Sequence, residues 1–173
     1  MEATTVYDGF IRLEERSAAL YLELSVHFFN NPELSWFWVE MAMEEKQHAG
    51  MLQHCREAGV FASDLPGRDQ IQKLNALFRK LESRLSSPSL SLDDAFEMAI
   101  ELESSEINDV YSRLTAPIHG PAHVMRKKIE LSVAGHFDKL KEASSRFGVS
   151  VAIQTRLAQL LSHSGSEPIP GAH

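Results

Sequence analysis

Glu44-Glu45-Lys46-Gln47-His48-Ala49 sits inside a stretch where Trp38, Met41, Glu45, His48, Leu52 and Cys55 recur at spacings of three and four. That spacing is the period of one helix face. Pro32 suits the first turn of such a helix and Gly59 the position just past its end, so the pattern predicts a helix over 32–58. The row is apolar except for Glu45 and His48. An i, i+3 pair lies on one side of a helix, so a carboxylate and an imidazole are directed inward together.

The rest of the chain reads as further helices. From Asp8 to Phe29, Ile11, Ala18, Tyr21, Ser25 and Phe28 keep the same period with Glu14 in the row, and Asn30-Asn31-Pro32 ends it. A connection over 61–91 holds an amphipathic stretch from Gln70 to Leu85, broken by Ser86-Ser87-Pro88-Ser89. Ser91 followed by Asp94 is a capping signal. It opens a third long helix predicted to run unbroken to Thr115, with Phe96, Ala99, Glu103, Glu106 or Ile107, Val110 and Leu114 inward. Beyond Ala116-Pro117 and Gly120-Pro121 a fourth helix runs to Phe147, with Ile129, Val133, His136, Leu140 and Ala143 on one face. A short helix over 150–162 follows, giving one helical domain over 1–162 and a flexible tail over 163–173. No segment alternates with the period of a strand.

Short links within each helix pair and a long link between pairs describe two hairpins and one crossover, the connectivity of a ferritin-like four-helix bundle. A weak internal repeat agrees: Arg12-Leu13-Glu14 aligns with Glu101-Leu102-Glu103 at an offset of 89, and His48 with His136 at an offset of 88.

Composition narrows the function. The 173 residues carry a formal net charge of −7, and the one basic cluster, Arg126-Lys127-Lys128, fits a solvated helix face, so nucleic acid is not an expected partner. No apolar run exceeds Ala18–Leu22, so no membrane span is expected. The opening Met1–Thr5 lacks a cationic and apolar leader, which makes the cytoplasm the expected compartment. A single cysteine, Cys55, excludes a disulfide within the chain and a multi-cysteine metal centre, and it reads as a small buried apolar residue. His119 and His123 flank Gly120-Pro121 and read as loop residues.

Several inward carboxylates at matched depth are costly to bury without a counter-ion. Carboxylates suit hard and borderline divalent ions, and imidazole favours the transition metals. Bundles that hold two such ions use one Glu from each of two helices and Glu-x-x-His from the others. Glu14 and Glu103 are candidates for the single Glu residues, Glu45 and His48 form an intact pair, and His136 belongs to an incomplete one.

These motifs resemble the rubrerythrin branch of the ferritin-like superfamily, in the form without the rubredoxin module. Glu14 and Tyr21 resemble its first-helix Glu-x6-Tyr, Glu45 to Ala49 its Glu-x-x-His-Ala, and Leu92 to Glu103 the opening of its third helix. Glu103-Ser104-Ser105-Glu106 matches Glu-x-x-Glu there. The similarity spans residues 8–146. It implies two iron ions, with manganese or zinc as substitutes, held by Glu14, Glu45, His48, Glu103, Glu106 and His136. Glu45 bridges, Glu14 and His48 hold one ion, Glu103 and His136 the other, and Glu106 replaces a missing fourth-helix carboxylate. Tyr21 is the residue the resemblance assigns to catalysis, hydrogen-bonding a carboxylate. The implied substrate is peroxide or oxygen, with electrons from a separate donor protein, since one cysteine cannot build the family's iron–sulfur module.

Two positions depart from the family pattern. Val133 stands where the fourth helix would carry a bridging Glu, so the second ion is expected to bind weakly or not at all. Val110 stands where a Tyr partner of Glu103 would be, with Tyr111 adjacent. The competing reading is a bundle without catalysis, serving as a structural or interaction module or holding a single zinc. Apolar positions around Trp36 suit a homodimer.

Overall fold

The computed structural model describes residues 2–105, 107–119 and 122–164, with the side chains at 122, 125, 128–130, 132–134, 163 and 164 outside that description. Among the described residues all regular structure is helical: α1 Ala3–His27, α2 Pro32–Ala58, α3 Arg68–Leu85, α4 Leu92–Glu103, α5 Ile107–Thr115, α6 Ala122–Arg146 and α7 Val151–Ser164. The all-α expectation holds.

Local chemistry sets the boundaries. The Asn31 side chain accepts from the Leu34 amide at 3.2 Å, with Pro32 in the first turn, where its missing N–H costs nothing. Gly59 closes α2 at φ 67°, a left-handed conformation that glycine adopts without a side-chain penalty. Ser91 and Asp94 form a reciprocal cap on α4, with amide-to-side-chain hydrogen bonds of 3.1 and 3.0 Å. Such caps contribute about 1 kcal/mol each.

Joined by residues 28–31, α1 and α2 pack antiparallel along most of their length. The row Trp38, Met41, Glu45, His48, Leu52 and Cys55 is buried throughout. Trp38 stacks on Tyr21 at 5.8 Å and meets Phe96 edge-on at 5.2 Å, locking α1, α2 and α4 around one aromatic layer. Burying each such side chain contributes about 1.5–3 kcal/mol. The amphipathic stretch in the long connection is α3, which lays Leu74, Phe78 and Leu81 inward. Arg16 of α1 sits over the Phe78 ring at 4.7 Å and forks onto Glu82 at 2.7 and 2.9 Å. Lys80 and Arg84 then fasten α3 to Glu101 of α4 at 2.6 and 2.5 Å. Across the molecule, α6 packs against α2 and α4, and α7 folds back on α6 and α4.

The third helix departs from expectation. It is not continuous: α4 stops at Glu103 and α5 resumes at Ile107. Serine side chains compete for backbone hydrogen bonds, and here the Ser105 hydroxyl accepts from the Ile107 amide at 3.4 Å while Asn108 donates to the Glu103 carbonyl at 3.4 Å. The break therefore follows directly on an inward carboxylate. Tyr7 of α1 anchors α5 from the other side, donating to the Leu114 carbonyl at 2.6 Å. A second correction concerns His123, which lies in the first turn of α6 and not in a loop, whereas His119 does lie in the connection before it.

α7 continues to Ser164, past the expected end at 162, and the rest of the proposed tail lies outside the described residues. No helix among the described residues is long and apolar enough to cross a membrane.

Candidate metal centre

Four helices direct polar side chains into the space they enclose. α1 contributes Glu14 and Tyr21, α2 Glu45 and His48, α4 Glu103, and α6 His136, and all six side chains are buried. Two triads result, Glu14–Glu45–His48 and Glu45–Glu103–His136, and within each one ligand atom per residue lies within 4.8 Å of the others. Bonds of about 2.0–2.2 Å put donors to one ion at most about 4.4 Å apart. Each triad thus closes on an ion with adjustments of tenths of an ångström. Glu45 belongs to both.

In the first triad His48 turns Nδ1 toward Glu45 Oε2 at 3.3 Å and Glu14 Oε2 at 3.8 Å. Both Glu14 oxygens are buried and make no hydrogen bond among the described residues. A carboxylate left in that condition is costly, and a cation is the partner that removes the cost. In the second triad His136 Nδ1 lies 2.8 Å from Glu103 Oε2 and 3.7 Å from Glu45 Oε1. The two imidazole rings lie 5.7 Å apart at an interplanar angle of 30°.

Glu103 is held from outside the triad as well. Tyr21 donates to its Oε1 at 2.6 Å, and Asn108 Nδ2 donates to its Oε2 at 3.0 Å. His48 lies against the Tyr111 ring at 4.8 Å, and His136 Nε2 faces Glu44 Oε2 at 2.8 Å. Lys139 pairs with the other oxygen of Glu44.

The electrostatics follow from burial among like charges. Desolvation and the neighbouring Glu45 raise the Glu14 carboxyl to about 8, against the pull of His48. Burial opposes the charge on His48, but Glu14 and Glu45 outweigh it and lift the imidazole to about 9. Burial likewise opposes charge on His136, yet Glu103, Glu44 and Glu45 raise it well above its ordinary range. Glu103 moves the other way. Burial raises it, and the combined pull of His136, Tyr21 and Asn108 brings it below the usual carboxylate value. Without a metal, the two imidazolium groups supply the positive charge, so an ion entering either triad displaces protons.

Of the residues singled out from sequence, Glu14, Tyr21, Glu45, His48, Glu103 and His136 come together. Glu106 lies outside the described residues, as does the side chain of Val133. Sequence reasoning assigned no role to Glu44, Lys139 or Asn108. Glu44 is one residue, about 100° around α2, from the inward row. It faces α6, and only the packing of α2 against α6 reveals it. Asn108 faces Glu103 because the helix breaks between them.

Comparison of the chain with protein-family models, with curated proteins and with solved structures found no match. The buried carboxylates and imidazoles are a donor set able to hold metal ions.

Proposed function

We propose that this chain is a ferritin-like, non-haem di-metal carboxylate protein of rubrerythrin type that reduces peroxide or oxygen. The observation that carries the reading is the sharing of Glu45 by two buried triads. One carboxylate between two sets of ligands is what a pair of adjacent ions requires. The orphaned Glu14 oxygens add support, because a buried carboxylate without a donor is explained by a cation.

Glu14, Glu45 and His48 hold one ion, and Glu45, Glu103 and His136 the other. Two ferrous ions held there would supply one electron each, the pair that converts hydrogen peroxide and two protons into two waters. The protein's part is to hold and to insulate. Tyr21, its hydroxyl kept protonated by burial and by Glu103 and Glu45, fixes Oε1 of Glu103. Trp38 and Phe96 screen the Tyr21 side of the site with apolar surface. Re-reduction needs a separate donor protein, since this chain has one cysteine and no cluster of its own. The exposed Trp36, 58% accessible, with Met43 at 54%, offers a surface for a second copy.

A second reading, a single zinc site or a bundle without catalysis, is favoured by Val133, which leaves α6 without a carboxylate three residues before His136. Anaerobic reconstitution with ferrous iron, followed by metal analysis and peroxide consumption, separates the two. Two ions per chain with stoichiometric loss of peroxide supports the di-metal protein. One ion per chain without peroxide loss supports a single-metal site, and no metal at all supports the interaction module.

A further inference from the structure

His136 and His48 occupy equivalent places in the two triads but differ on their outer sides. Both turn Nδ1 toward the carboxylates. The outer Nε2 of His48 is buried and makes no hydrogen bond among the described residues, while that of His136 meets Glu44 Oε2 at 2.8 Å. Glu44 is itself steadied, because its second oxygen pairs with Lys139, one helical step beyond His136 on α6. Glu44 and Lys139 both line the open cleft between α2 and α6, so the pair stands between solvent and the buried ring.

Resting on the di-metal reading above, we propose that Glu44 is the positioning residue of the second ion. A carboxylate accepting from Nε2–H fixes the tautomer, leaves the Nδ1 lone pair directed at Glu45 and Glu103, and strengthens that nitrogen as a donor. It also brings a carboxylate from α2 to the outer edge of the His136 ring. In this role Glu44 is not a ligand and acts through the His136 ring.

Cobalt(II) titration of the full chain, followed by visible absorption and calorimetry, tests this on wild type, Glu44→Ala, Glu44→Leu and Glu44→Gln. Thermal melts of each variant accompany the titrations. Loss of an orienting carboxylate typically weakens a metal site by about 10–100-fold. Glu44→Ala and Glu44→Leu therefore weaken one of two sites by that factor, with the other site's affinity and spectrum unchanged. Leu keeps the volume and the helix, so a folded variant is available if Ala is not tolerated. Glu44→Gln still offers an oxygen to Nε2–H and recovers most of the affinity. Two sites of unaltered affinity in the Ala and Leu variants overturn the proposal while leaving the di-metal reading intact. Equal weakening of both sites overturns it too, since a general structural defect would act that way. A wild-type chain that binds no cobalt removes the di-metal reading, and this inference with it.

Discussion

Tyr21 donates its hydroxyl to Oε1 of Glu103 across 2.6 Å, joining the first helix to the end of α4 inside the bundle. The bond is fully buried, and its acceptor carries charge. It holds the Glu103 side chain at the point where the helix gives way to Ser104-Ser105, and so orients a candidate ligand.

Tyr21→Phe keeps the stack on Trp38 and removes only the donor. A buried hydrogen bond to a charged group is worth about 1.5–3 kcal/mol, and the variant should lose stability in that range. The Glu103 carboxyl should also rise. Metal content should hold near the wild-type value, because Tyr21 is not a ligand, while peroxide turnover falls. Urea denaturation and metal analysis of the same preparation check both halves. A variant as stable as wild type would mean that the hydroxyl bond makes no net contribution.

The metal-free protein should become less stable as pH rises above about 5. Glu14 in the fold titrates at about 8 against an ordinary 4.5, and His48 at about 9 against 6.5. Both pKa values are raised, so both contributions are fully present below the ordinary values and are lost as pH rises through the folded ones. Glu103, whose value is lowered, works oppositely and loses its contribution as pH falls below the carboxylate range. Metal binding competes with these protons, so affinity should increase with pH toward about 9, as the His48 value requires. Melting temperatures of chelator-treated and metal-loaded protein from pH 5 to 9 give the comparison. A metal-free melting temperature that climbs across that range contradicts the charge assignments.

Cys55 should be unreactive in the native protein. Its side chain is fully buried on α2, and desolvation raises the thiol to about 11, so little thiolate forms at neutral pH. Labelling with a thiol reagent at pH 8 should proceed only after denaturant is added. Rapid labelling of the folded chain would place Cys55 on an accessible surface.

How far the sequence could be read depended on the range of the interaction. The inward row of α2 was legible because a period of three and four over 32–58 has no other physical meaning, and every member of that row is buried. The Asn31-Pro32 start, the Gly59 stop and the Ser91–Asp94 cap were legible because each satisfies its hydrogen bonds within a few residues. The break after Glu103 was not. Ser104-Ser105 interrupts a pattern whose apolar spacing carries on through Val110 and Leu114, and Asn108 completes the break with its hydrogen bond to the Glu103 carbonyl. Pairing Glu44 with His136 depends on how α2 and α6 are rotated against each other, and no periodicity within either helix encodes that.

The most direct test of the central claim compares bound metal in wild type with Glu14→Ala, Glu45→Ala and Glu103→Ala, each verified as folded. Glu45 is the member common to both triads. Wild type should therefore hold two ions per chain, Glu14→Ala and Glu103→Ala should each lose mainly one, and Glu45→Ala should lose the most. Equal losses in the three variants, or a wild type that stays metal-free after reconstitution, would contradict it.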